Sequence, residues 1–190
     1  MKHYLIHDTL EAFLKNGDDL YFFGMTTNGN INKTVNQEFI RAGIGNKIAA
    51  VVQTENTMEF TITTGLHYHE IYEIQSGEKF SKSSEIQIQD VTIGSDGTVV
   101  ATNKTVAGDV IEFKADSYPK VHSVQLRTIV YDPDTNEVVG DLYFIFDKGL
   151  PNGALNEAFE AGNKTAEISF TALADEDGNY GKCVFVPKQD

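Results

Sequence analysis

Apolar residues along this chain recur mostly every second position, in short runs cut by glycine and Asx-rich turns, so the pattern predicts a protein built mainly of β-strands. Leu20 to Gly24 is a compact aromatic strand bounded by Asn16-Gly17 and Asn28-Gly29. Ile48 to Gln53 and Met58 to Thr63 are β-branched runs separated by Thr54-Glu55-Asn56. In the second run Met58, Phe60 and Ile62 alternate with polar neighbours, which predicts one dry face and one wet face. Ile31 to Phe39 is more polar and reads as an extended arm or an exposed edge strand.

Two segments depart from the alternation. Leu5, Ile6, Leu10, Phe13 and Leu14 follow a helical stripe and predict a short helix at the start of the chain. Leu66 to Gln75 carries Ile71 and Ile74 three apart and Tyr68 and Tyr72 four apart, after a capping Thr63-Thr64 and before a stop at Ser76-Gly77, so a helix is expected over about 64–76. Beyond it the pattern is again β: a strand marked by Ile86, Ile88 and Val91, a turn at Ser95-Asp96-Gly97, and shorter pieces through Val99-Val100, Val110 and Ile111. The clearest hairpin joins Val121–Tyr131 to Val138–Phe146 through Asp132-Pro133-Asp134-Thr135-Asn136. A glycine-rich break at Leu150 to Ala154 and a helical reading of Leu155 to Ala161 precede a last pair of strands, Ala166–Leu173 and Cys183–Val186.

Length changes the picture little: 190 residues with no abrupt shift in composition predict a single domain over 1–190. Charge changes it more. With 28 acidic residues against 15 basic ones the net charge is -13, and Arg41 and Arg127 are the only arginines. Such a chain repels a nucleic-acid backbone, which excludes phosphate-neutralising binding and suits a surface beside which DNA passes without sticking. The start of the chain lacks the apolar core of a signal peptide and no run is long enough to cross a bilayer, so the expectation is no membrane association and folding in a reducing cytoplasm. The lone Cys183 fits that compartment as a packing residue. The Asn-Lys-Thr tripeptides at Asn32, Asn103 and Asn163 then read as turn formers and not as glycosylation sites.

Candidate chemistry has plainer readings. Gly43-Ile44-Gly45 lacks the third glycine and following helix of a dinucleotide loop and reads as a tight turn. His67-Tyr68-His69-Glu70 imitates a metal site, but on a helix the two histidines diverge, and His3, His7 and His122 are not spaced to join them. The turns from Asp132 and Asp175 imitate calcium loops without the twelfth-position carboxylate, Tyr143 and Val186 standing there. Both read as Asx turns. No nucleophile elbow is present, so the sequence supports no enzyme, cofactor or metal.

The stretch FIRAGIGNKIAAVVQTENTMEFTITTGLHYHEIYEIQSGEKF from Phe39 to Phe80, together with AEISFTALADEDGNYGKCVFVP from Ala166 to Pro187, resembles the major tail proteins, or tail tube proteins, of long-tailed bacteriophages. A polar arm leads into an Arg-Ala-Gly-x-Gly-Asn-Lys turn, two threonine-rich strands and a helix, and the second stretch is similar to that family's closing hairpin. The resemblance implies a β-sandwich or barrel-like subunit with one flanking helix, arranged as hexameric rings that stack into a hollow tube. It further implies an arm or loop, about 31–56, that reaches a neighbouring subunit, with Phe39, Ile40, Arg41, Ile44, Asn46 and Lys47 as contact candidates. The partners implied are other copies of the chain, a tape-measure protein and tail terminator or baseplate proteins. DNA passes through the tube unbound, and the location is the virion tail after synthesis in the host cytoplasm. A competing reading is a β-sandwich binding module of a baseplate or for carbohydrate, using Tyr4, Tyr118 or Tyr180 as stacking platforms.

Overall fold

The computed structural model describes residues 5–6, 10–24, 26–42, 47–65, 69–152 and 165–188. Among these the chain forms eleven strands and one helix: β1 (Leu5–Ile6), β2 (Glu11–Asn16), β3 (Asp19–Phe23), β4 (Thr26–Ala42), β5 (Lys47–Thr64), α1 (His69–Ser76), β6 (Ser81–Ile93), β7 (Val99–Val110), β8 (His122–Tyr131), β9 (Val138–Pro151), β10 (Ala166–Ala172) and β11 (Lys182–Pro187). The mainly-β class with one flanking helix is therefore as expected.

Nine strands share one antiparallel sheet with the path β3-β2-β8-β9-β10-β5-β4, with β1 added beside β8 and β11 beside β9. The path has two ends, so the sheet is not closed into a barrel. It curls until those ends meet: the Thr26 hydroxyl at the start of β4 donates to the Leu10 carbonyl just before β2. The Leu10 side chain fills the space over Gly29 that a Cβ would need, which is why β4 carries glycine where it passes the other end of the sheet. The result is sandwich-like, with a single core between the inward faces.

That core follows from alternation. In β8 the buried residues are His122, Val124, Leu126, Thr128 and Val130, every second position. Of these, Val124 and Leu126 join Ala12 and Leu14 of β2, Phe23 of β3, Phe60 and Ile62 of β5, and Ile168 and Phe170 of β10 in one cluster. Phe60 lies between two rings, its centroid 4.3 Å from Phe146 and 4.9 Å from Phe170, each at 10° to it. Ile71 and Ile74 of α1 close the cluster from one side. The helix stops where Gly77, at φ 76°, donates its N–H to the Glu73 carbonyl at 2.9 Å.

Several expectations change. The predicted helix near the start of the chain is β1 and β2. Ala12 and Leu14 point into the core, while Phe13 points out and packs on Phe22 at 4.7 Å, and apolar residues on both faces mimic a helical stripe. The two runs around Thr54-Glu55-Asn56 fuse into the single strand β5, the interruption absorbed by a register shift between Asn36 and Gln37 of β4. Val99 to Val110 is likewise one strand and not several pieces. The last two strands do not pair with each other: β10 lies along β5 and the end of β9, and β11 along the first half of β9. The turn from Asp175 joins them as expected, its carboxylate accepting from the N–H groups of Asp177 and Asn179 at 3.0 and 2.7 Å. The hairpin through Asp132 forms as expected, with Asn136 in the left-handed region at φ 57°. The helical reading of Leu155 to Ala161 lies outside the described residues.

Candidate assembly surface

The sheet stops supporting β5 at Met58, where β10 ends its ladder. Beyond that point β4 and β5 continue alone as a two-stranded ribbon, nine paired positions from Thr34↔Thr57 to Ala42↔Lys47. At roughly 3.3 Å per residue this is an arm of about 30 Å. The described part of the expected arm over 31–56 is thus a pair of antiparallel strands.

Residues paired across an antiparallel ladder project from the same face. One face of the ribbon presents Phe39 beside Val51, and the other presents Ile40 beside Ala50 and Val52 beside Glu38. Phe39, Ile40, Ile48 and Val51 are each about half exposed. An isolated two-stranded ribbon is marginal in water, and one with apolar side chains on both faces has nothing of its own to bury them against.

Of the contact candidates read from the sequence, Phe39, Ile40 and Arg41 come together at the outer end of β4, all exposed. Lys47 opens β5 with its backbone opposite Ala42. Ile44 and Asn46, with the turn from Gly43, lie outside the described residues. Val35, Ile48, Val51 and Val52 belong to the same surface and were not singled out, because a β-branched run reads equally well as a buried strand.

A second ribbon was missed. Among the described residues strands β6 and β7 pair only with each other. Their outer end exposes Val91, Ile93, Val99 and Val100, with Ile93 73% accessible. The signal was present in the alternation of Val91 and Ile93 across from Val99 and Ala101, but alternation alone does not say whether the apolar face is covered.

The other polar grouping lies where α1 meets the sheet. A small cavity of about 20 Å³, room for one water, is bordered by Asp19, Tyr21, Glu73, Glu78, Lys120 and His122. Tyr21 donates to Glu73 Oε2 at 3.3 Å, and Glu73 Oε1 accepts the Phe80 N–H at 2.9 Å. Burial, then the charge of Glu73, push the Tyr21 phenol up to about 12. His122 donates from Nδ1 to the Lys120 carbonyl at 2.7 Å, and burial holds its imidazole below the ordinary value. These groups lock the helix to the sheet by satisfying one another. On the outer face Arg127 of β8 bridges Glu11 of β2 at 3.0 Å and Asp141 of β9 at 3.1 Å.

The sequence motifs sort accordingly. His69 is exposed and stacks on Phe80 at 5.1 Å, while His67 and Tyr68 lie outside the described residues. Among the described residues no three His, Cys, Asp or Glu side chains converge on a possible metal position. Of the aromatic platforms, Tyr180 is tied by its hydroxyl to the Asn56 carbonyl at the root of the arm and packs on the core, which removes it as a free stacking surface. Tyr118 is 74% exposed, and Tyr4 lies outside the described residues. Cys183, expected to pack, is exposed on β11. No helix among the described residues is long and apolar enough to cross a membrane.

A curled β body that projects apolar ribbons defines a mainly-β protein presenting broad contact surfaces. The chain belongs to the YomU/Tube protein family, whose family model matches residues 71–186, from α1 through β6–β7 and the sheet strands to β11. It is similar to the tail tube protein of Bacillus phage SPR, 25% identical over 237 aligned positions that cover 98% of this chain and 90% of that relative. The resemblance read from the sequence is borne out by these two matches, and the second also spans the β4–β5 arm.

Proposed function

We propose that this chain is a structural, non-enzymatic protein of a phage virion, one domain over 1–190, that polymerises into a hollow tail tube. The observation that carries the proposal is the β4–β5 ribbon, which has exposed apolar side chains on both faces and, among the described residues, no third strand, in a chain of the YomU/Tube family. In the tube the subunits form stacked rings, six to a ring, and the arm reaches a neighbouring subunit. Phe39, Ile40, Arg41, Ile44, Asn46 and Lys47 make the contact, each buried apolar side chain contributing roughly 1.5 to 3 kcal/mol. Head-to-tail stacking of this kind is heterologous and propagates.

The acidic balance then has a use. Carboxylates on the tube wall repel the phosphates of the passing genome, so DNA traverses the lumen without residence. A tape-measure protein fills the tube before the DNA does, and terminator and baseplate proteins cap its two ends. Assembly takes place in the host cytoplasm and the product resides in the virion tail.

The test is negative-stain electron microscopy of the purified chain across a concentration series, with mass photometry on the same samples. Hollow rings and tubes are expected. Strictly monomeric particles at every concentration, even with an assembly initiator added, would overturn the proposal.

A further inference from the structure

We propose that the receiver of the β4–β5 arm is the β6–β7 ribbon of a second copy, the two ribbons packing face to face. The inference rests on the tube reading and names the partner surface within it.

Two independent features point to this pairing. The first is the order of side chains along each ribbon. On the arm, the pair Phe39–Val51 is followed toward the body by the pair Gln37–Gln53 on the same face. On β6–β7, the pair Val91–Ala101 is followed toward the body by Gln89–Asn103. All eight of these side chains are exposed. Laid face to face, apolar pairs meet apolar pairs and amides meet amides, so the interface buries no amide without a partner. Ile93 and Val99, one pair further out, extend the apolar part.

The second feature is charge. The arm beyond the sheet, residues 34–57, carries Arg41 and Lys47 against Glu38 and Glu55, no net charge in a chain of -13. Residues 81–110 carry Lys82 and Lys104 against Glu85, Asp90, Asp96 and Asp109, two net negative charges. The neutral arm therefore meets no net repulsion at the acidic ribbon of another copy. Among the described residues nothing covers the apolar faces of either ribbon, and face-to-face packing supplies that cover.

The test uses mixed disulfides in the full chain, with Cys183→Ser in every preparation to remove the native thiol. Chains bearing Phe39→Cys are mixed with chains bearing Val91→Cys under assembly conditions and oxidised. A second mixture pairs Phe39→Cys with Leu20→Cys, an exposed position on β3. Dimers of Phe39→Cys with Val91→Cys should dominate. Preference for Leu20→Cys, or equal yields, would overturn the pairing. In parallel, Val91→Asp and Ile93→Asp should each leave the circular dichroism of the monomer unchanged and raise the critical concentration for assembly about tenfold or more. Assembly of both variants at the parent concentration would overturn the pairing while leaving the tube reading intact. A parent chain that never assembles would overturn both.

Discussion

The two halves of β5 have the same strand partner on one side and opposite environments on the other. From Met58 to Thr64 it lies between β4 and β10, with Phe60 and Ile62 each 1% exposed. From Lys47 to Thr57 it has β4 alone, and Ile48 and Val51 are each 51% exposed. Both halves are rich in β-branched residues, so that feature does not distinguish them. What distinguishes them is whether a third strand and a second layer cover the apolar face. In the inner half that area has already been removed from water within one chain; in the outer half it remains available to stabilise an association.

Substitution should separate the halves sharply. Phe60→Ala deletes the ring held between Phe146 and Phe170, and should destabilise the isolated chain by about 3 to 5 kcal/mol in urea or guanidinium unfolding. A loss under about 1 kcal/mol would mean that the stacked rings are not the centre of the core. Gly77→Ala strains a residue at φ 76° and drives a methyl group against the Tyr118 carbonyl, so it should cost about 1 to 2 kcal/mol or more and loosen α1 first. Hydrogen exchange confined to α1 and residues 111–120 would register it; uniform loosening of all strands would count against that assignment.

A smaller effect is tied to pH. His122 sits 3% exposed on β8, facing Tyr21 and Asp19 from β3 and Lys120 from its own approach, and burial lowers its pKa from 6.5. The unfolded chain therefore binds the proton more readily than the folded one. Stability contributed by the neutral ring is fully present above pH 6.5 and is lost as pH falls below it toward the lower folded value, with a slope of at most about 1.4 kcal/mol per pH unit. His122→Gln should abolish that slope, measured as the difference from the parent chain between pH 7.5 and 5.5 at about equal ionic strength. An unchanged slope would assign the dependence to the carboxylates instead.

The smallest effect on the isolated chain belongs to the arm. Phe39→Ala should change the unfolding free energy by no more than about 0.5 kcal/mol, because the ring is half exposed and packs on no core residue. The same substitution should raise the concentration needed for tubes. A large loss of monomer stability would show that the arm folds back on its own subunit and would erase the contrast with the inner half of β5.

Much of this was legible in the residues. The alternation in Met58 to Thr63 predicted a dry face, and Phe60 and Ile62 of that face are buried in β5; the spacing of Ile71 and Ile74 predicted the helix that buries them both. Turn chemistry placed Asp132 to Asn136 correctly, since an Asx carboxylate and a proline act over four residues. What failed was nonlocal. Phe13 counts as apolar whether it faces the core or Phe22 outside it, and that ambiguity produced the helix reading of Leu5 to Leu14. The place of β10 beside β5 depends on pairings over a hundred residues apart, and the separation of β10 from β11 on each pairing with β9 instead of its neighbour in sequence, for which no local signal exists. For the candidate surface, Phe39 to Arg41 came from the resemblance to tail tube proteins, whereas Val51 and the β6–β7 tip were passed over because exposure is a property of the folded sheet.

The arm is made of the same strands that hold the core, and this fixes how it responds to tension. A pull on the tip of β4–β5 runs along β5 into the seven Cα pairs it shares with β10, from Met58↔Ala172 to Thr64↔Ala166. Those hydrogen bonds lie across the direction of the load and are strained together in shear, rather than opened one after another as in an unzipping hairpin. In the proposed tube, a load on the arm would therefore be passed to the β5–β10 ladder of the subunit that carries it.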